Sequence, residues 1–333
     1  MLVSREYKAA DAVDIFVKGE AEERLNKILD LIKNKRSLFI IDGVIIREKN
    51  NYYESAKIKE EGDLNSLPLP NFDGFELNDY AEKTMPIATS RGCPRQCSFC
   101  NNSTNINKYR FRNATSVFKE MLISIDKYKS TRFVFCDSML NGNLVQLEKL
   151  CDLIIKHKIR IVWGGYVAIL KNMPYALYVK MKKAGCEYVV YGVESFSDKI
   201  LRAMKKNVTV VDTLKILKFT TKAGINANIH IIVGFPGEEE KDFQQTLKLI
   251  KQHRKNYRKI INVDICRILP GSDLYNNPDQ YGIVFQSKGI KIKWKTTDGK
   301  NTNKIRNIRM KKLVYLIVNE GMVLPRRIGR REG

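Results

Sequence analysis

The chain has no apolar run of membrane-spanning length: stretches such as Leu38-Phe-Ile-Ile break at Asp42, short of the ~20 residues a bilayer requires. No apolar stretch that could act as a secretion signal follows Met1-Leu-Val-Ser-Arg, so a soluble, cytoplasmic protein is expected. Histidine is scarce. Three occur in 333 residues, none before Cys93, and no cysteine precedes Cys93 either. Seven cysteines at irregular spacing, without a secretion signal, argue against a disulfide framework, and Cys136, Cys151, Cys186 and Cys266 are expected in the core. Acid is also in short supply, with 36 Asp and Glu against 59 Lys and Arg, a net charge of +23. From Ser287 onward, fourteen Lys and Arg face three acids (Asp298, Glu320, Glu332). A nucleic-acid partner is one reading of that excess. Aromatics other than Trp294 and Tyr315 do not interleave with the charges, so stacking platforms are not evident and a solvated, lysine-rich surface is favoured.

What the chain has in quantity is apolar residues, 44% of the total, enough for two domains or one barrel with appendages. Its most informative feature is Cys93, Cys97 and Cys100, spaced C-x3-C-x2-C inside Ser90-Arg-Gly-Cys-Pro-Arg-Gln-Cys-Ser-Phe-Cys-Asn, after the strand-like run Met85-Pro-Ile-Ala-Thr. Three thiolates on one short loop suit three irons of a cubane 4Fe-4S cluster and leave the fourth without a protein ligand. An open position marks a metal centre that does chemistry. A zinc knuckle would need a fourth Cys or His close by, and the nearest later thiol and imidazole are Cys136 and His157.

Strand and helix patterns alternate from Met85 to about Leu269. Strands are expected at 85–89, 132–136, 160–164, 188–193, 228–234 and 262–268, and helices at 116–127, 144–156, 175–184, 211–223 and 239–253. Such alternation implies a parallel sheet with helices outside, whose strands read as nearly continuous apolar runs, as Ile231-Ile-Val does. In a βα barrel the reacting groups gather at the C-terminal strand ends. There the chain has the cysteine loop, Phe135-Cys-Asp-Ser, Trp163-Gly-Gly-Tyr, Tyr191-Gly-Val-Glu-Ser, Gly234-Phe-Pro-Gly-Glu and Arg267-Ile-Leu-Pro-Gly-Ser. Glu194 ends an apolar strand where a carboxylate needs a cation or donor, and Asp137 invites the same argument. Ser195 reads equally as a cap for a helix at 198–205.

With these motifs in place, the chain resembles the radical S-adenosylmethionine (radical SAM) superfamily, whose signature is this cysteine spacing with an aromatic residue, here Phe99, before the third cysteine. The resemblance implies an α/β fold, a partial (β/α)6 barrel over 81–282, preceded by a short α/β unit in 1–80 and followed by a basic segment in 283–333. It implies that Cys93, Cys97 and Cys100 bind a 4Fe-4S cluster, that the backbone at Phe99 lies against the adenine of S-adenosylmethionine, and that Glu194, with Ser195 beside it, meets the cofactor's ribose or amine. Gly234 and Gly237 fall in the fifth-strand motif beside the adenine. Asp137 and Ser138 stand where many members carry Gly-Gly-Glu for the methionyl amine.

The implied activity is reductive cleavage of S-adenosylmethionine to a 5′-deoxyadenosyl radical that takes hydrogen from an organic substrate, with flavodoxin or ferredoxin as electron donor. The segment Val13-Asp-Ile-Phe-Val-Lys-Gly-Glu, a helix through Leu25, Ile28 and Leu31, and Leu67-Pro-Leu-Pro-Asn-Phe-Asp resemble the join in cobalamin-binding members, which points to methyl transfer or rearrangement in biosynthesis. The Asp-x-His-x-x-Gly loop those members use around cobalamin is missing, so cobalamin stays open. Two alternatives remain: a methylthiotransferase-like tRNA modifier, which needs further N-terminal cysteines that are not here, and a non-catalytic iron-sulfur protein. In the tail, 290–295 alternates as an edge strand, 310–320 suits a helix and 325–331 is expected to be disordered.

Overall fold

Hydrophobic spacing in the middle of the chain resolves into the strand and helix alternation expected of it. The computed structural model describes residues 13–48, 51–55, 62–102, 108–288 and 292–322. An N-terminal unit comes first, with β1 (Ile15–Val17), α1 (Glu22–Lys33), β2 (Val44–Glu48) and β3 (Asn51–Glu54). Its strands lie in the order β1-β2-β3, and both pairings are antiparallel. Helix α1 buries Ile28 and Leu31 against Ile41, Val44 and Ile46. The Val44–Glu54 hairpin was not legible in the sequence.

The barrel follows. Strand β4 (Met85–Ile87) leads into a short hairpin of β5 (Ser90–Arg91) and β6 (Arg110–Phe111), then α2 (Ala114–Tyr128), β7 (Arg132–Phe135), α3 (Leu144–Lys156), β8 (Val162–Val167) and α4 (Tyr175–Lys183). Next come β9 (Cys186–Glu194), α5 (Asp198–Ala203), α6 (Val210–Lys222), β10 (Asn226–Val233), α7 (Glu240–Gln252), β11 (Lys259–Ile265) and α8 (Asp273–Asn276). The six-stranded sheet runs β11-β10-β9-β8-β7-β4, with every pairing parallel. Neighbouring strands of this sheet therefore follow one another in chain order, the arrangement short connections favour. Helix starts are fixed locally: Asn143 Oδ1 accepts from Gln146 N at 3.0 Å to begin α3, and Thr209 and Asp212 form a capping box on α6.

Only one strand face is apolar. Along β10, Ala227, Ile229, Ile231 and Val233 are buried in the core shared with the outer helices, while Asn228, His230 and Ile232 alternate with them and are half-buried. Continuous apolar runs were expected, but the half-buried face of β10 carries the polar Asn228 and His230 beside Ile232. Beside β4, Leu64, Leu67, Pro68, Pro70 and Phe72 border a cavity of about 220 Å³ that Pro86 and Cys136 also line. Cys136 is exposed, in contrast to the core position expected of it, whereas Cys151, Cys186 and Cys266 are buried.

The basic tail is built into the barrel. It forms a hairpin of β12 (Ile283–Lys288) and β13 (Ile292–Thr296), then α9 (Asn303–Asn319), which starts earlier than the 310–320 pattern suggests. Leu313 and Ile317 join the main core, and Ile283 and Trp294 pack with Phe235, Cys266, Ile268 and Leu274. The 325–331 stretch lies outside the described residues. Among the described residues, no helix is long and apolar enough to cross a membrane.

Candidate active site at the mouth of the barrel

The loop bearing Cys93, Cys97 and Cys100 is tied down from several directions at the C-terminal strand ends. Ser98 N–H donates to Met204 O and Ser98 Oγ to Ala203 O, both at 3.1 Å, and Leu274 N–H donates back to Ser98 O at 3.0 Å. Arg95 Nη1 and Nη2 each donate at 3.1 Å, to Lys206 O and Ile169 O. On the N-terminal side, Arg91 pairs with Glu20 at 3.1 Å and with Glu22, and Arg110 pairs with Glu20. The acids of the Gly19-Glu20-Ala21-Glu22 stretch therefore brace the β5–β6 hairpin that brackets the loop. Such bracing holds the thiols in place before any ligand arrives.

Asp137 is buried, and its carboxylate accepts from Thr89 N at 3.1 Å, Thr89 Oγ1 at 2.7 Å and Ser90 Oγ. The acid that the sequence offers as an amine ligand thus latches the base of the cysteine loop. Ser138 is exposed beside the loop, where its Oγ accepts from Asn102 Nδ2 at 3.2 Å. Ser195 points away from the mouth. Its hydroxyl lies 3.4 Å from Thr246 Oγ1 and accepts from Ser197 N at 3.2 Å, and the helix cap is Ser197 rather than Ser195.

Each of the three thiols is half-buried, and burial pushes all three up from the ordinary cysteine range. Lys206 pulls all three down, Arg95 pulls Cys93 and Cys97 down, and the sulfurs raise one another, so they share one electrostatic neighbourhood. Positive charge beside soft thiolates suits a cluster whose sulfurs carry negative charge. Among the described residues, no group of three or more His, Cys, Asp or Glu is placed to hold a single metal ion. A cluster distributes its thiolates over separate irons, so the three cysteines fit it without a fourth side chain.

Glu194 closes the fourth strand in a strained conformation, with φ of +66° and side-chain exposure of 10%. The β9–β10 register shifts at this point, where Gly192 pairs with His230 and Glu194 with Ile231. This irregularity directs the carboxylate inward, and Gly192 has no Cβ because one would collide with Glu194 Oε1. Burial pushes Glu194 up from its ordinary value, and Lys206, 3.4 Å from Oε1, pulls against it. Lys206 Nζ also donates to Gly192 O at 2.8 Å and lies 6.0 Å from the centre of the half-buried Phe99 ring. Lys206 is thus the hub joining cysteine loop, Phe99 and Glu194. Nothing in Lys205-Lys206-Asn207 separates it from surface lysines.

The Gly234–Glu238 turn is clamped by the tail. Gly234 has φ of +74°, and a side chain there would collide with Arg306. Its N–H donates to Glu238 Oε2 at 2.7 Å, and Asn301 Nδ2 donates to Gly234 O and Phe235 O, each at 3.0 Å. Arg309 Nη1 reaches Glu238 Oε2 at 2.9 Å and Glu238 O at 3.0 Å. Burial pushes Glu238 up to about 7 despite Arg309. Gly237, at φ of +81°, faces open space. Arg306 lies 3.7 Å from the Trp294 ring centre. Neither arginine was singled out in the sequence.

Among known proteins, the chain is 27% identical over 284 residues to an uncharacterized methyltransferase, PH0819, of Pyrococcus horikoshii, covering 82% of this chain and 59% of that protein. The radical S-adenosylmethionine methyltransferase TsrM from Kitasatospora setae, solved with cobalamin and a 4Fe-4S cluster bound, gives a TM-score of 0.68 at 16% identity, over 84% of this chain and 57% of its own. The cobalamin-dependent S-adenosylmethionine radical enzyme OxsB gives 0.74 at 13% identity, over 95% of this chain and 53% of its own. The chain thus spans little more than half of each solved structure, and the likeness to them is one of fold. The radical SAM superfamily model matches residues 87–250, the stretch that carries the three cysteines, the end of the first barrel strand and the four strands after it, and that stretch is a radical SAM domain.

Proposed function

We propose that this protein is a radical SAM enzyme acting on an organic substrate in the cytoplasm, with Cys93, Cys97 and Cys100 as cluster ligands and a flavodoxin- or ferredoxin-type reductant. The observation that carries this reading is the braced triad of thiols next to Lys206 and Glu194. When bound, a 4Fe-4S cluster with S-adenosylmethionine supplies a 5′-deoxyadenosyl radical that takes hydrogen from a C–H bond.

The chain's own residues do the positioning. Arg95, Ser98 and Asp137 fix the loop, so the thiolates are presented without reorganisation. Lys206 offsets the thiolate charge. Glu194 offers an acceptor for ribose hydroxyls or an amine, and the backbone at Phe99 and at Pro236 to Gly237 offers an adenine edge its partners, since Gly234 is committed to Glu238 and Asn301; Ser138, whose Oγ accepts from Asn102, keeps its hydroxyl proton for a polar contact. Methyl transfer or rearrangement is the reaction type we favour. Cobalamin is not part of the proposal: the described N-terminal unit is an antiparallel sheet under one helix, without the crevice of a doubly wound domain, so these residues do not fit it.

The test is anaerobic reconstitution with iron and sulfide, then dithionite and S-adenosylmethionine, with 5′-deoxyadenosine and methionine measured by mass spectrometry. Stoichiometric release of both is expected. A protein that binds a complete cluster and releases neither overturns the proposal.

A further inference from the structure

The strands of a parallel sheet all start at one end of the barrel, and here the connections leading into them carry positive charge that no acid answers. Lys158 and Arg160 precede β8, Lys182 and Lys183 precede β9, and Lys255 and Arg258 precede β11, all six exposed. Among the described residues none of the six forms an ion pair, because the acids at this end are already taken: Asp152 by Lys180, Glu187 by Arg132 and Glu320 by Lys251. The connections are stitched together. Trp163 N–H donates to Gly185 O at 3.0 Å, Arg258 N–H to Ala227 O at 2.7 Å and Arg258 Nη1 to Asn226 Oδ1 at 3.2 Å. Lys182 lies against Gly224, where an added Cβ would stand 3.5 Å from its Cε. From β8 to β11 the row covers three strand spacings, about 14 Å.

Lysine near a helix C-terminus has an ordinary purpose, to offset the partial negative charge there, and Lys182 and Lys183 in the last turn of α4 serve it. The other four lie past the ends of α3 and α7. Together α3, α4 and α7 bring roughly 1.5 units of negative charge to this end, against six cations. The mouth of the barrel differs. There Lys171, Lys199, Lys205, Lys206 and Arg267 meet Asp212, Asp242, Asp273, Glu194 and Asp264 at 2.6 to 3.4 Å. A further source of charge joins the unanswered end: Met322, the last described residue, has its thioether 3.6 Å from the Tyr257 hydroxyl, so Arg326, Arg327, Arg330 and Arg331 are tethered here.

We infer that the end of the barrel remote from the cysteine loop is a docking surface for the phosphate backbone of a duplex nucleic acid. Exposed cations without acids are what phosphates require, and over 14 Å one strand of a duplex presents about four phosphates at 3.4 Å each. Tyr257, the one Phe, Tyr or Trp in these connections, is buried and donates its hydroxyl to Ile250 O, so no ring is offered to single-stranded bases. No large apolar side chain in them is exposed, so nothing is offered to a bilayer either. Contacts confined to phosphates carry no sequence information, and binding is independent of sequence. This surface goes beyond the proposed chemistry and does not rest on it.

The test is fluorescence anisotropy of a labelled duplex of arbitrary sequence, made once as RNA and once as DNA, with the cluster-loaded full chain. Six phosphate contacts give a slope of log K against log salt of about −5. The triple variant Lys158→Ala, Lys182→Ala, Lys255→Ala should lower that slope by about 3 and weaken binding roughly a hundredfold near 0.1 M salt. A second triple, Lys119→Ala, Lys149→Ala, Lys218→Ala, removes the same charge from exposed positions on the outer helices and should bind as the parent does. Whichever duplex binds more tightly identifies the source of the phosphates. Absence of saturable binding, equal weakening in the two triples, or tighter binding to phosphatidylserine vesicles than to either duplex at equal phosphate overturns the inference. Cleavage of S-adenosylmethionine should be unchanged in the first triple, so its loss in the parent chain bears on the proposed function alone.

Discussion

Replacing Lys206 by Met should destabilise the protein in a way that depends on pH, because the lysine's main partner is a buried carboxylate. Glu194 is 7% exposed, and burial already lifts its folded pKa above the ordinary 4.5. A carboxyl raised on folding contributes stability that is present below about pH 4.5 and lost as pH rises through its folded value. Without the ammonium at 3.4 Å, the folded value climbs further and the loss extends to higher pH. Stranding a buried charge costs roughly 3 to 5 kcal/mol, and the long separation argues for the lower end. Of that, the bond to Gly192 O, worth about 1.5 kcal/mol, disappears at every pH. The deficit of Lys206→Met should therefore be about 1 to 2 kcal/mol near pH 5 and about 3 kcal/mol at pH 8. Urea midpoints followed by Trp163 and Trp294 fluorescence measure it, and Glu194→Gln in the same chain should remove the pH dependence. A deficit equal at both pH values, or unaffected by Glu194→Gln, would refute the reasoning.

Three further outcomes follow from the same geometry. Cys97→Ala should leave far-UV circular dichroism unchanged while bound iron after reconstitution falls severalfold; full iron content would remove Cys97 from the ligand set. Gly234→Ala should cost about 2 kcal/mol or more, since its φ of +74° disfavours a side chain and Arg306 occupies the space, and an unshifted thermal midpoint would contradict this. Glu238 is raised to about 7, so its contribution is complete below about pH 4.5 and is lost as pH rises through 7; Glu238→Gln should flatten that part of the stability profile, and a profile of unchanged slope between pH 5 and 8 would speak against it.

Much of the barrel is legible in the sequence because its outer strand faces and helix stripes must be apolar, and period alone separates them. The expected 144–156 helix matches α3 residue for residue. The third strand was placed at 160–164 and runs Val162–Val167, because Gly164-Gly165 reads as a turn while the ladder carries through it: Gly164 pairs with Tyr188 and Gly165 with Val189. The cysteine motif is legible because coordination chemistry fixes its spacing. Its supports are not. Asp137 looks like a ligand because a lone acid at a strand end signals function, yet its partners, Thr89 and Ser90, lie 48 and 47 residues away in sequence. Lys206 owes its role to a turn that places it over Phe99, and a turn leaves no pattern that distinguishes one lysine from its neighbour.

The tail shows how charge misleads when read by composition. Fourteen cations after Ser287 suggest a surface for phosphates, but Arg306 and Arg309 are 2% and 5% exposed and face inward. Arg306 donates to Asn301 O, Asn301 Oδ1 and Trp294 O, all uncharged acceptors, and burial pushes it down to about 10. A buried cation without a carboxylate costs stability unless something else holds it. Here a stacked indole at 3.7 Å and three oxygens do so. Arg309 goes to Glu238, and Lys312 on the next turn is 3.4 Å from Glu240. Phosphate binding draws on exposed, uncommitted cations, so these three side chains subtract from any nucleic-acid surface and add to the clamp on the Gly234 turn. The same positive sequence thus builds a braced floor beneath the fifth-strand turn.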